Sequence, residues 1–193
     1  MSVTPEQIEI PLVGFVGDVV RRLGDAVLEV HQCQPRRAIA RIAPARTVEV
    51  ASKMFAMEGS RLATATGIEV RDGIDVLYHW CFEPAMGPQG PAGAVVTLKV
   101  LAVRPELTVD SIANVMPAAN WIEREMHDLL GVNFRGHPDM RRLILDDSWP
   151  EGLHPLRKSF DQVEDRPRLP ETRGGQAPLP KNLTPDTQEE RSK

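Results

Sequence analysis

Apolar residues recur at helical spacing through Leu12, Val13, Val16, Val19, Val20, Leu23 and Val27, with Asp18, Arg21, Arg22 and Asp25 between them. This pattern predicts an amphipathic helix ending near Leu23. Residues 26–32 and 37–43 are shorter and richer in β-branched side chains, and Pro35 separates them, which predicts a strand or a strand pair. A second helix follows, with Thr47 as its N-cap, Val48, Ala51, Met54 and Phe55 on one face, and Gly59 ending it. From Arg61 the period becomes two. Residues 62–70 lead through the turn Arg71-Asp72-Gly73 into 74–82, where Ile74, Val76, Tyr78, Trp80 and Phe82 share a face. A Pro/Gly-rich loop over 84–93 connects to 95–103, where Val96, Leu98, Val100 and Ala102 alternate with the other set. The expected result is an antiparallel meander with two helices on one face, a two-layer α+β domain.

After Pro117, the positions Ala119, Ile122, Met126, Leu129 and Leu130 predict a third helix closed by Gly131. Residues 132–160 follow neither period, yet they are dense in Trp, His, Arg, Pro and Phe. Residues 161–193 contain only Val163, Leu169, Ala177, Leu179 and Leu183 as apolar groups among five prolines, too little to order themselves. The organisation expected is an α+β domain over 1–131, an ordered irregular docking segment over 132–160, and an extended tail over 161–193.

Composition narrows the function classes. The 193 residues carry 27 acidic and 23 basic side chains, a net charge of -4, so no broad basic field exists for general nucleic-acid binding. The two cysteines, Cys33 and Cys81, cannot supply the four thiolates of an iron–sulfur cluster or a Cys-rich zinc site. Their apolar strand contexts predict buried free thiols. The amino terminus lacks a basic start and an apolar core, which predicts no secretory signal and residence in the cytoplasm. The apolar stretches are far shorter than the ~20 residues a spanning helix needs.

No phosphate-cradling glycine loop, dinucleotide fingerprint, nucleophile elbow or HExxH helix occurs. Glu123 and His127 stand one helical turn apart and would present a metal from one face if a third ligand joined them; none stands at diagnostic spacing, and His137 is the one a metal-enzyme reading would use. The alternative is a hydrogen-bonding network, which the neighbouring Arg124 and Asp128 favour. Residues 135–142, with 154–158 downstream, are locally basic, which suits either a phosphate site or carboxylates on a partner protein. Asp139, Asp146, Asp147 and Glu151 would repel a polyanion, and Trp149, Leu153 and Phe160 supply interface anchors, so a protein partner is the better expectation.

The run of residues 123–145 opens Glu123-Arg124-Glu125. An acid follows three residues on at Asp128, then two apolar residues, then His137 after a gap of six, and later a basic residue before an apolar pair. This pattern resembles the signature of the 30 kDa subunit of respiratory complex I, the C subunit of NADH dehydrogenase. The stretch Trp149-Pro150-Glu151-Gly152-Leu153-His154-Pro155-Leu156-Arg157-Lys158 resembles the closing motif of the same family. The resemblance implies a subunit without cofactors of its own in the hydrophilic arm of complex I, or of related energy-converting [NiFe] hydrogenases and formate hydrogenlyases. Iron–sulfur clusters, and in the hydrogenases nickel–iron, would then lie in partner subunits. It implies packing against the hydrogenase-like large subunit and the small iron–sulfur subunit, contact with the membrane only through the complex, and a place on the cytoplasmic face of the inner membrane. The matching positions expected to serve docking are Glu123, Arg124, Glu125, Asp128, Arg135, His137, Arg141, Arg142, Trp149, His154, Arg157 and Lys158. Residues 60–67 lack the acids that respiratory subunits usually carry there, which leans the expectation toward the hydrogenase branch. The chain ends soon after the motif, and no fused large subunit is expected.

Overall fold

The computed structural model describes residues 14–83 and 93–160. The loop expected over 84–93, except Gly93, and the extended tail expected over 161–193 lie outside the described residues.

Helix α1 (Gly14–Leu23) buries Val16, Val19, Val20 and Leu23 and turns Arg21 and Arg22 to solvent, as its 3.6-residue period requires. A 3-10 turn then feeds the hairpin β1 (Val27–Gln34) and β2 (Arg37–Ile42), with Pro35 in the connection where its missing N–H costs no ladder bond. Helix α2 (Thr47–Phe55) follows, then β3 (Ser60–Val70), β4 (Gly73–Phe82) and β5 (Ala94–Val103). The sheet order is β1-β2-β5-β4-β3. The expected meander β3-β4-β5 is antiparallel throughout, but β5 lies parallel to β2. The sheet is therefore mixed. Helix α2 and the β3-β4 hairpin together form the long crossover that a parallel pair needs.

Ala38, Ala40, Ile42, Ile74, Val76, Tyr78, Trp80, Phe82, Val96, Leu98, Val100 and Ala102 are buried on one face of the sheet, and α1, α2 and α3 (Ala119–Leu130) pack there. The architecture is α+β, with three helices on one side where two were expected. A short strand β6 (Thr108–Asp110) pairs in parallel with β7 (Asn133–Arg135), so the chain leaving α3 is stitched back at once.

Three expectations need correction. Thr47 is the first residue of α2 and does not cap it; its hydroxyl donates to the Pro44 carbonyl at 2.7 Å. The buried stripe of α2 is Thr47, Val50, Ala51 and Met54, leaving Val48 and Phe55 exposed, because Val50 and Met54 lie one helical turn apart over the sheet. Cys33 is exposed and Cys81 half-buried, because β1 is an edge strand and Cys81 faces away from the helices.

Candidate functional site

The signature residues lie along α3 and the strap of chain, residues 136–160, that folds back over it. They fall into three sets of contacts.

The first set surrounds Glu123, which is fully buried. Its Oε1 accepts the Tyr78 hydroxyl at 2.8 Å and the Ile112 N–H at 3.0 Å, and its Oε2 accepts the Ser111 hydroxyl at 2.5 Å. Burial raises the Glu123 carboxyl above the ordinary range, and the donors from Ser111, Ile112 and Tyr78 pull against that. Burial also raises the Tyr78 phenol, reinforced by the Glu123 charge beside it. The His137 Nε2 lies 3.9 Å from Glu123 Oε2. The His137 ring is otherwise committed: Nε2 donates to the Asn120 carbonyl at 3.0 Å and Nδ1 accepts the Asp139 N–H at 3.0 Å. One carboxylate thus ties α3 to β4 and to the 111–113 turn, while His137 joins the start of the strap to α3 through the Asn120 carbonyl.

The second set is built on Arg124 and Asp128, one turn apart on α3. Arg124 Nε donates to the Arg141 carbonyl at 2.7 Å, and its terminal amine donates to the Arg142 carbonyl at 2.9 Å. Asp128 Oδ2 accepts the N–H groups of Leu143, Ile144 and Leu145 at 2.8, 2.8 and 3.2 Å. Burial pushes the Asp128 carboxyl up, but the three backbone donors together outweigh it, and the group titrates below its ordinary value. Arg142 in turn donates to the carbonyls of Asp146 and Trp149 at 2.8 and 2.7 Å, and Trp149 Nε1 donates to the Leu153 carbonyl at 2.9 Å.

The third set caps the end of α3. A helix leaves its last carbonyls without partners, and here residues far along the chain supply them. His154 Nδ1 donates to the Asp128 carbonyl at 2.9 Å, the Leu156 N–H to Leu129 at 3.0 Å, and Arg157 Nε to Leu130 at 2.7 Å. Gly131 closes the helix at φ +71°, and a Cβ there would overlap the His154 ring, so glycine is needed for both conformation and space. Burial lowers the His154 imidazole, an effect the Asp128 carbonyl opposes.

The structure therefore does not gather Glu123 and His127 at a metal, because His127 Nδ1 turns to donate to the Val132 carbonyl at 2.9 Å. Among the described residues no group of three or more His, Cys, Asp and Glu side chains is placed to hold a metal ion. Nor is the Arg/His segment an open cationic patch. Arg124, Arg142, Arg157, His137 and His154 point inward onto backbone carbonyls. Arg135 and Arg141 remain at the surface, each beside an acid, Asp110 and Asp139. Glu125 and Lys158 are exposed, and the Lys158 N–H caps the Glu69 carboxylate at 2.6 Å. Trp149 is half-buried and stacks obliquely with Phe160, ring centres 6.1 Å apart. An open groove of about 350 Å³ runs between α3 and the strap, lined by His127, Met140, Leu145, Trp149 and His154 among others. Sequence reasoning missed Tyr78, Ser111 and Asn120, which carry no motif. It also missed Trp121, 67% exposed on α3, whose place in a helical turn with Glu125 was the available signal.

Among the described residues, no helix is long and apolar enough to cross a membrane. The chain is 48% identical over 86 residues to the C subunit of NADH-quinone oxidoreductase from Mesorhizobium japonicum, a match covering 45% of this chain and 38% of the relative. It is 48% identical over 65 residues to the protein of the same name from Geobacter metallireducens, covering 33% of this chain and 39% of the relative. The chain thus spans well under half the length of these curated relatives. A solved chain from a membrane-bound sulfane sulfur reductase, described as an archaeal respiratory membrane complex, shares the fold at a TM-score of 0.62 and 21% identity, over 76% of this chain and 85% of that one. Residues 40–166 match the family described as the 30 kDa subunit of respiratory-chain NADH dehydrogenase, a span that includes β3 to β5, α3 and the whole strap. The chain belongs to that family.

Proposed function

We propose that the chain is a cofactor-free structural subunit of the hydrophilic arm of a membrane-bound oxidoreductase complex, docking on the hydrogenase-like large subunit beside the small iron–sulfur subunit. The observation that carries this reading is what the signature residues do. Arg124, Asp128, His154 and Arg157 bond backbone groups of the same chain and fix the strap to α3, Arg142 pins the strap on itself, and Glu123 anchors α3 to Tyr78, Ser111 and Ile112. They build a rigid surface, and reactive groups do not converge on it. That surface presents Trp121, Ile144 and Leu156 as exposed apolar anchors, with Glu125, Arg141 and Lys158 as exposed charges, the composition of a protein interface. In this reading clusters and any nickel–iron centre belong to partner subunits, and the complex places the chain on the cytoplasmic face of the inner membrane.

The relatives named as NADH-quinone oxidoreductase subunits support a quinone-reducing complex. A hydrogenase-type complex is the second reading, and the absence of acids from residues 60–67 favours it. The test is co-purification of the tagged chain from detergent-solubilised membranes, with subunits identified by mass and the complex assayed for NADH:quinone and hydrogen-oxidising activity. Arg141→Glu with Lys158→Glu, both at exposed positions, is expected to abolish recovery of the large subunit while the isolated chain keeps its melting temperature. Arg157 is unsuitable for this purpose because it caps α3. Unchanged recovery removes the docking surface from the proposal, and stoichiometric iron, nickel or flavin in the isolated chain overturns the cofactor-free reading.

A further inference from the structure

We infer that the outer edge of β3 is a strand-addition site, which takes an extended, uncharged segment of the partner polypeptide as a sixth strand. This rests on the docking reading above and names where the partner's backbone engages. Three observations carry it.

The first is the edge itself. Strand β3 ends the sheet and pairs only with β4 among the described residues, so alternate N–H and C=O groups along it face outward. Exposed edges are ordinarily blunted by charge, proline or bulges. The opposite edge follows that rule, since β1 carries Glu29 and His31 and two register shifts. Strand β3 follows it only at its start, with one register shift between Leu62 and Thr64; from Leu62 to Ile68 the sequence Leu-Ala-Thr-Ala-Thr-Gly-Ile has no charge and no proline. Charges stand only outside this run, where Arg61 pairs with Glu83 and Glu69 pairs with Arg104.

The second observation is that the helix layer reaches past the sheet. Helix α3 packs chiefly on β3, with Leu130 and Met126 against the Gly67 backbone. A helix about 10 Å wide that packs chiefly on an edge strand reaches past it by up to about 5 Å, the spacing of one further strand. Glu123 faces Tyr78 and Ser111, inward over the sheet. The flank across the buried stripe from it carries Ile122 and Leu129, both only half-buried. An added strand would place alternate side chains beneath that flank and the others beside Thr64, Thr66 and Ile68.

The third is that neither an antiparallel second copy nor residues 161–193 fit the edge. A second copy joined antiparallel along this edge would set two α3 helices on strands about 4.8 Å apart, inside the 8–10 Å that packed helices need. Residues 161–193 are broken by Pro167, Pro170, Pro178, Pro180 and Pro185, and every proline-free run in them longer than one residue carries charge. A seven-residue uncharged ladder does not fit them.

The experiment has two arms. In the unmodified full chain, amide exchange resolved by residue is expected to be fast at every second position of 62–68 in isolation and slow at all of them in the purified complex. In the second arm, Thr64→Lys with Ile68→Lys puts charge on the edge strand and is expected to lower recovery of the large subunit by at least about tenfold with the melting temperature of the isolated chain unchanged. The exchange arm stands even if that variant fails to fold. Unchanged exchange on assembly, full recovery with the lysine variant, uniformly slow exchange in the isolated monomer, or a dimer that the lysines dissociate would each overturn the assignment. If the unmodified chain recovers no large subunit, it is the docking reading that fails.

Discussion

Removing the Asp128 carboxylate tests whether the strap is held as described. Its Oδ2 is the shared acceptor of three backbone N–H groups, on Leu143, Ile144 and Leu145, and the side chain is nearly fully buried. Asp128→Ala leaves all three donors without that partner. An unsatisfied buried donor costs about 1–3 kcal/mol, and the strap is half-exposed so that water reaches it, which puts the loss near the lower bound, about 3 kcal/mol in all. Asp128→Asn keeps a carbonyl oxygen to receive the same donors and loses only the excess strength of bonds to a charged acceptor, about 1 kcal/mol. Urea unfolding gives the global loss, and amide exchange at 143–145 reports the strap, where about 3 kcal/mol corresponds to roughly two orders of magnitude in rate. Equal losses for the two variants, or a loss under about 1 kcal/mol for alanine, would refute the claim that this oxygen organises the strap. The pH dependence follows from the direction of the shift. The folded-state value lies below the unfolded value near 3.8, so the contribution is fully present above 3.8 and is lost as pH falls through the folded value.

Glu123 has the opposite sign. Its folded value is raised above 4.5, so stability declines as pH rises from 4.5 through the folded value, and Glu123→Gln, which cannot ionise, should gain on the parent across that window in thermal melts from pH 4 to 8. A parallel pair of stability curves would contradict the assignment. Gly131→Ala should cost more than the ~1 kcal/mol of a left-handed non-glycine residue, because its Cβ also displaces His154 and the terminal amine of Arg157; exchange of the Leu156 amide should accelerate with it, and an unaffected amide would count against the cap.

Much of the fold was legible because period and burial coincide. In β4, Ile74 to Phe82 at every second position form the face under the helices, although Asp75 and Leu77 on the other face are buried too, and in α3 the stripe ends at Gly131 in the left-handed conformation. The parallel pairing of β2 with β5 was not legible, since both strands read as half-buried whichever direction their neighbour runs. Helix α2 misled because Val48 and Phe55 are apolar yet lie off its buried stripe, and apolar side chains are common at protein surfaces. At the site, residue types were legible and their direction was not. Arg142 and Arg157 read as cations awaiting an external acid, but a guanidinium is also the best donor for several carbonyls at once, and the open carbonyls at the end of α3 belong to the backbone, where sequence does not display them.

Asp128 receives the chain twice, on its carboxylate from residues 143–145 and on its own carbonyl from His154. The stretch between is an Ω-loop closed on a single residue, with its interior pinned by Arg142 and by Trp149 on Leu153. Its length is thereby fixed as firmly as its composition. The side chain at the exposed Asp147 is free to vary, but one residue inserted or deleted between 146 and 153 must pull one end away from Asp128 and uncap α3.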